Sequence, residues 1–144
     1  MSAVRRTRVT ERMWKIHRWL YQLSGGRIGG RLGDLPVLLL TTKGRKSGEP
    51  RTVALNYLVD EGTYVVFASH AGEDRDPPWW LNLRDAGEGD VQIGTRRFHV
   101  RARAAEGEAR TRLYERVKKI DPAYAVYEQR TKREIAVVIL TPAA

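Results

Sequence analysis

The spacing of apolar residues divides the chain into segments of two periods. Met13, Ile16, Leu20 and Leu23 recur at three- and four-residue intervals, with Trp14, Trp19 and Tyr21 flanking the stripe and Lys15, Arg18 and Gln22 opposite it. That is the period of a basic, aromatic-rich amphipathic helix, with Thr10 as its expected cap. From Pro36 the period changes. Pro36–Thr42 is a continuous apolar run, as in a strand buried on both faces. Val53, Leu55, Tyr57 and Val59 then alternate with Thr52, Ala54, Asn56 and Leu58, and the turn Asp60-Glu61-Gly62 leads into a strand over Thr63–Ser69, so the two read as a hairpin. Val91–Ile93 and, after Gly94-Thr95, the alternation of Phe98, Val100, Ala102 and Ala104 with Arg97, His99, Arg101 and Arg103 predict two more strands, the second with a basic outer face. Helical spacing returns at Gly107–Ile120 and again after Asp121-Pro122, a cap followed by proline at the first helical position. A short helix is expected at Pro77–Arg84 with Asp76 as cap, and Ile135–Leu140 reads as the closing strand.

The predicted order is helix, three strands, short helix, two strands, two helices, one strand. Most neighbouring strands are too close in sequence for helical crossovers, so a parallel doubly wound sheet is excluded. A mainly β, α+β fold fits: a small antiparallel barrel with helices on its outside. Residues 1–33 form a basic tail, the amphipathic helix and a glycine-rich linker; residues 34–144 form the barrel domain.

Charge sharpens that division. Of a formal net charge of +9, residues 1–33 carry eight Lys or Arg against one acid, and the remaining chain is near balance. The amphipathic helix either covers the domain body or rests on an anionic bilayer. Nucleic acid is disfavoured as a partner, because the cations of the body form no single stripe. The chain has no cysteine, which excludes disulfides, thiolate catalysis and Cys-based metal sites. With no signal-peptide pattern and no stretch of about 18 apolar residues, the expected location is cytoplasmic, with the N-terminal helix as the means of any peripheral seat on the membrane.

The chemistry-bearing candidates are few. His17, His70 and His99 lack metal-ligand spacing, so no metal is expected. Glu73, Asp74 and Asp76, with Arg75, read as a solvated loop. No Ser-His-Asp order is present, so any redox or group-transfer chemistry would belong to a cofactor. Three constellations remain. Thr41–Arg51, TTKGRKSGEPR, places Lys43, Arg45, Lys46 and Arg51 among Gly44, Gly48 and Pro50 directly after the most apolar run. A plain turn needs the glycines but not the charge; an anion held against backbone N–H groups and cationic side chains needs both. Pro77-Pro78-Trp79-Trp80-Leu81-Asn82-Leu83 sets two tryptophans about 100° apart on one helix, one for the core and one for a cleft. Tyr124 and Tyr127 share a helix face and either hold a planar ring or cap the barrel.

Taken together, LLLTTKGRKSGEPRTVALNY, DPPWWLNL and DPAYAVYEQRTKREIAVVILTP resemble the deazaflavin-dependent nitroreductase and quinone reductase family, actinobacterial enzymes that use coenzyme F420. The likeness spans residues 34–142. It implies a split β-barrel like that of flavin-nucleotide-binding oxidases. It implies that Arg45, Lys46 and Ser47 sit on the phosphate and glutamate tail of the coenzyme, and that Arg51, Thr52, Val53, Ala54, Leu55 and Asn56 lie along its polar chain and ring. Phe67, Ala68, Ser69 and His70 would lie beside the ring. Pro78, Trp79, Trp80, Leu81 and Asn82 would close the groove, and Tyr124 would stand over both coenzyme and substrate with Tyr127 beside it. Asp121 and Asn56 depart from the family pattern at positions that bear on the acceptor, and favour a quinone such as menaquinone over bulky nitroimidazoles. The activity implied is hydride transfer from the reduced coenzyme to a quinone-like or other electrophilic acceptor, with Tyr124, Ser69 or water as proton source. The alternatives are a non-catalytic carrier of deazaflavin or flavin, and an enzyme using FMN instead of F420.

Overall fold

A computed structural model describes residues 31–32 and 35–143. The expected N-terminal helix and the basic tail lie outside the described residues. The strands are β1 (Arg31–Leu32), β2 (Leu35–Lys43), β3 (Pro50–Asn56), β4 (Leu58–Asp60), β5 (Thr63–Phe67), β6 (Glu88–Ile93), β7 (Arg96–Ala104) and β8 (Val137–Pro142). The helices are α1 (Pro78–Ala86), α2 (Gly107–Ile120) and α3 (Ala123–Arg130), with a 3-10 turn at His70–Gly72.

The strands form one antiparallel sheet in the order β1-β2-β6-β7-β8-β5-β4, with β3 added on β2. The long apolar run of β2 follows from its position. It pairs with β3 from Val37↔Asn56 to Lys43↔Pro50 and with β6 from Leu39↔Gln92 to Thr41↔Asp90. Both its edges are taken and both its faces are covered, so Leu38, Leu39 and Leu40 are all buried. The sheet curls into a split half-barrel. Leu38, Leu40, Val66, Val91, Val100, Val138 and Leu140 fill its inside, closed at one end by Trp80 and Leu83 of α1. A second cluster, with Val65, Phe67, Val137 and Ile139 of the sheet, packs against Leu113, Tyr114 and Val117 of α2 and Tyr124 of α3.

Four expectations are corrected. The predicted strand through residues 52–59 is two strands. It breaks at Tyr57, which belongs to neither strand: its backbone N–H makes a last in-register bond to the Pro36 carbonyl at 3.0 Å, and the next strand starts at Leu58 on other partners. A break of one residue inverts the side-chain alternation, so Leu58 is buried while Val59 is 52% exposed. Asp76 does not cap α1. The N-cap position is Pro77, with Pro78 at the first helical position, and the Asp76 carboxylate instead meets Arg133 at 3.2 Å. The closing strand begins at Val137 rather than Ile135, although Ile135 is buried; its carbonyl accepts from Arg110 of α2, with Nη2 at 2.6 Å. At α3 the N-cap position is Pro122 and the first helical residue Ala123, one step later than expected; Asp121 stands just before the cap, where its Oδ1 accepts from the Ala123 N–H at 3.0 Å.

Candidate active site

A groove of about 760 Å³ runs from the β2–β3 loop, along β3, to the far wall made by the end of β5, the 3-10 turn and α3. Its floor is Thr52, Val53, Ala54, Leu55 and Asn56. One end carries Gly44, Arg45, Lys46, Ser47 and Arg51. The side is Pro77, Pro78, Trp79 and Asn82, and the far end holds Phe67, Ser69, His70, Ala71, Tyr124 and Tyr127.

The basic loop is built tightly. The Gly44 N–H donates to the Glu49 carbonyl and the Gly48 N–H to the Gly44 carbonyl, both at 2.8 Å. A Cβ at Gly44 would lie 2.9 Å from Ser47 Oγ and 3.0 Å from the Glu49 carbonyl oxygen, so glycine is required there by space. Ser47 Oγ accepts from the Glu49 N–H at 3.1 Å and from Arg51 Nη2 at 3.5 Å, so this hydroxyl holds the loop together. Buried Asn82 anchors the loop from α1: its Oδ1 accepts from the Arg45 N–H at 3.1 Å and from Arg45 Nη1 at 2.8 Å. Arg45 keeps further N–H donors. Lys46 is exposed and has no hydrogen-bond or ion-pair partner among the described residues. The result is a fixed turn that presents uncompensated positive charge to the groove.

The far end is aromatic. Tyr124 and Tyr127 meet edge to face with ring centroids 5.3 Å apart, and Phe67 packs against Tyr124 at 5.4 Å. Tyr114 Oη donates to the Tyr124 carbonyl at 2.7 Å, and burial pushes the Tyr114 hydroxyl up to about 12. Burial also raises the Tyr124 hydroxyl well above its ordinary value, reinforced by Tyr127, Asp121 and Tyr114. Tyr124 therefore keeps its proton, and its Oη donates across the groove to Asn56 Oδ1 at 3.5 Å, a long bond.

Most of the residues expected from sequence are thus brought together. Four are not on the lining. Trp80 is buried in the barrel core with its ring 6.4 Å from that of Trp79, and only Trp79 faces the groove. Leu81 lies on another face of α1, beside Arg84 and Asp85. Ala68 is fully buried, with its N–H donating to the Ala136 carbonyl at 2.9 Å. Asp121 is occupied at the start of α3. Gly44, Ala71 and Pro77 line the groove without having been expected. Gly44 and Pro77 stand beside expected residues, whereas nothing local marked Ala71.

The donor set suits a long, polyanionic, ring-bearing ligand: cations at one end, the apolar faces of Val53, Leu55 and Trp79 in the middle, and Phe67 with the hydroxyls at the other. Coenzyme F420 has that character, with phosphodiester and carboxylates at one end and a flat ring at the other.

Comparison with known proteins agrees. The family described as F420H(2)-dependent quinone reductase matches residues 13–142. An F420H(2)-dependent quinone reductase of Mycobacterium tuberculosis is 37% identical over 131 residues, covering 88% of each chain. The solved structure of an F420-H2 dependent reductase superposes with a TM-score of 0.66 at 35% identity, over 73% of this chain and 93% of that one. HutZ, the heme storage protein from Vibrio cholerae, superposes with a TM-score of 0.58 at 14% identity over 85% of this chain and 90% of its own, a likeness of fold alone. With its split barrel and its cationic, aromatic groove, the chain belongs to the F420H(2)-dependent quinone reductase family, oxidoreductases that use coenzyme F420.

Proposed function

We propose that this F420-dependent reductase passes a hydride from the reduced coenzyme to a quinone held at the aromatic end of the groove. The observation that carries this reading is the continuity of the groove: an anion-binding turn and an apolar, hydroxyl-bearing pocket share one floor, β3.

Arg45, Lys46 and Arg51 hold the acidic tail by charge-assisted hydrogen bonds, and the backbone of the tight loop adds orientation. Trp79, Val53 and Leu55 bury the ring, while Phe67, Tyr124 and Tyr127 form an apolar enclosure that excludes bulk water from the reacting faces. When bound, the reduced coenzyme supplies a hydride, two electrons in one transfer. The protein's task is alignment of donor and acceptor at about 3–3.5 Å. A quinone that accepts a hydride needs one proton to become the hydroquinone. Tyr124 holds its own proton tightly and serves as a hydrogen-bond donor to the reduced oxygen, Ser69 offers a second hydroxyl at the same end, and water at the groove mouth supplies the net proton.

The test is anaerobic mixing of the protein with reduced F420 and menadione, a soluble naphthoquinone, while following the visible absorption of the oxidised coenzyme. Turnover dependent on protein is expected. Oxidation no faster than in buffer, with menadione and with several other quinones, would overturn the assignment. The acceptor class also gives the basic arm a role: residues 1–33 hold most of the net charge and would seat the enzyme on an anionic membrane surface that carries lipid quinones. Co-sedimentation with phosphatidylglycerol vesicles but not with phosphatidylcholine vesicles is expected; equal partitioning to both would exclude that role.

A further inference from the structure

One wall of the groove is held from behind by a single side chain. Arg133, in the segment between α3 and β8, has a side chain only 14% exposed. Its guanidinium donates from Nε to the Glu73 carbonyl at 2.9 Å, from Nη1 to the Ala68 carbonyl at 3.1 Å and Asp76 Oδ1 at 3.2 Å, and from Nη2 to the Ser69 carbonyl at 3.0 Å. These four acceptors bracket residues 68–76. Within that bracket His70 and Ala71 both have left-handed backbones, with φ of 47° and 52°, which side-chain-bearing residues adopt only when the surroundings impose them. The wall is also pressed against α3, where a Cβ on Gly72 would lie 3.0 Å from the Tyr127 carbonyl oxygen. Ser69, His70 and Ala71 are the residues of this wall that face the groove. Drawing the Ala68 and Ser69 carbonyls toward the guanidinium fixes the backbone from which the Ser69 hydroxyl projects, and that hydroxyl has no hydrogen-bond partner among the described residues.

We propose that Arg133 is a positioning residue of the active site: its guanidinium latches the wall Ser69–Asp76 in the strained turn that sets the Ser69 hydroxyl and the His70–Ala71 backbone along the acceptor end of the groove. The proposal rests on the reading of the groove given above. It requires arginine, because a planar fork reaches several carbonyls and a carboxylate at once, whereas a lysine ammonium offers its donors from one point. Because the wall lies at the end of the groove away from the basic loop, losing the latch acts on turnover and acceptor use more than on capture of the coenzyme tail.

The test compares the full-length wild type, Arg133→Lys, Arg133→Ala and, as a control at the other end, Lys46→Ala. Affinity for F420 is read by fluorescence titration, and kcat and KM are read with menadione at saturating reduced coenzyme. Both Arg133 variants are expected to lose about tenfold or more in kcat/KM for menadione while the F420 Kd moves less than about threefold, and added guanidinium ion should restore part of the activity of Arg133→Ala only. Lys46→Ala is expected to raise the F420 Kd by more than either Arg133 variant does. Arg133→Lys is the decisive variant should Arg133→Ala not fold. Full activity in Arg133→Lys, or a lower melting temperature with unchanged kcat and KM, would overturn the latch. Failure of the wild type to bind F420 would overturn the groove assignment itself, and the role of Arg133 with it; a wild type that binds and turns over, and whose Lys46→Ala variant weakens as expected, isolates any failure to the latch.

Discussion

At the scale of single residues, the groove separates side chains that are engaged from those that are available. Arg45 and Ser47 are partly committed to building the loop, through Asn82 and through Glu49 and Arg51. Lys46 builds nothing among the described residues, so its whole charge is free for a ligand. Lys46→Ala is therefore expected to weaken F420 binding by about 1–3 kcal/mol, the worth of a charged hydrogen bond, without lowering the melting temperature. A fluorescence titration beside a thermal melt checks both halves. The sequence exposed these cations because charge density after an apolar run is visible without a structure. It hid Arg133, whose partners stand 57 to 65 positions away and whose own neighbourhood, Thr131-Lys132-Arg133, looks like any solvated turn. It also put Trp80, Leu81 and Ala68 on the site along with their neighbours, since a motif read as a block does not say which face each residue takes.

At the scale of elements, alternation and helical spacing revealed the strands and helices, and the misreadings fell at element ends. Tyr57 marks one such end: the alternation continues smoothly into Val59, yet β3 stops at Asn56 and the strand from Leu58 pairs with β5 instead of β2. The basic outer face of β7 was legible, but its counter-charges on β6 were not. His99 pairs in register with Asp90, with Nδ1 2.9 Å from the Asp90 carboxylate and Nε2 2.6 Å from Glu88. Hydrogen bonding to Asp90, and then to Glu88, holds the imidazolium above the ordinary histidine value despite some desolvation. A folded-state value raised in this way gives stability that is fully present below the unfolded value near about 6.5 and is lost as pH rises through the folded one. The melting temperature of wild type should thus exceed that of His99→Gln more at about pH 5.5 than at about pH 8.5, and by a small margin, since the cluster is well exposed. A difference that is flat with pH would show that the pairing with Asp90 and Glu88 does not shift the titration of His99 on folding.

At the scale of the whole molecule, the fold puts charge and apolar surface to separate uses. The barrel buries its leucines and valines around β2 and leaves the cationic turn projecting from the end of that strand. Attraction between exposed cations and a polyanionic coenzyme is screened by salt. The F420 Kd should rise several-fold as ionic strength goes from about 0.01 M to about 0.15 M, where the Debye length shortens from about 30 Å to about 8 Å. Titration at the two salt levels checks this, and an unchanged Kd would mean that the apolar middle of the groove supplies nearly all the affinity.

The groove's floor strand is fastened unequally. Along its full length β3 is zipped to β2, yet no strand pairs with its other edge among the described residues. A ribbon joined along one margin can lean outward without giving up a single rung of its ladder. An outward lean at the aromatic end would strain the long Tyr124–Asn56 contact before any rung to β2, whereas the cationic turn is rooted in a strand bonded on both sides.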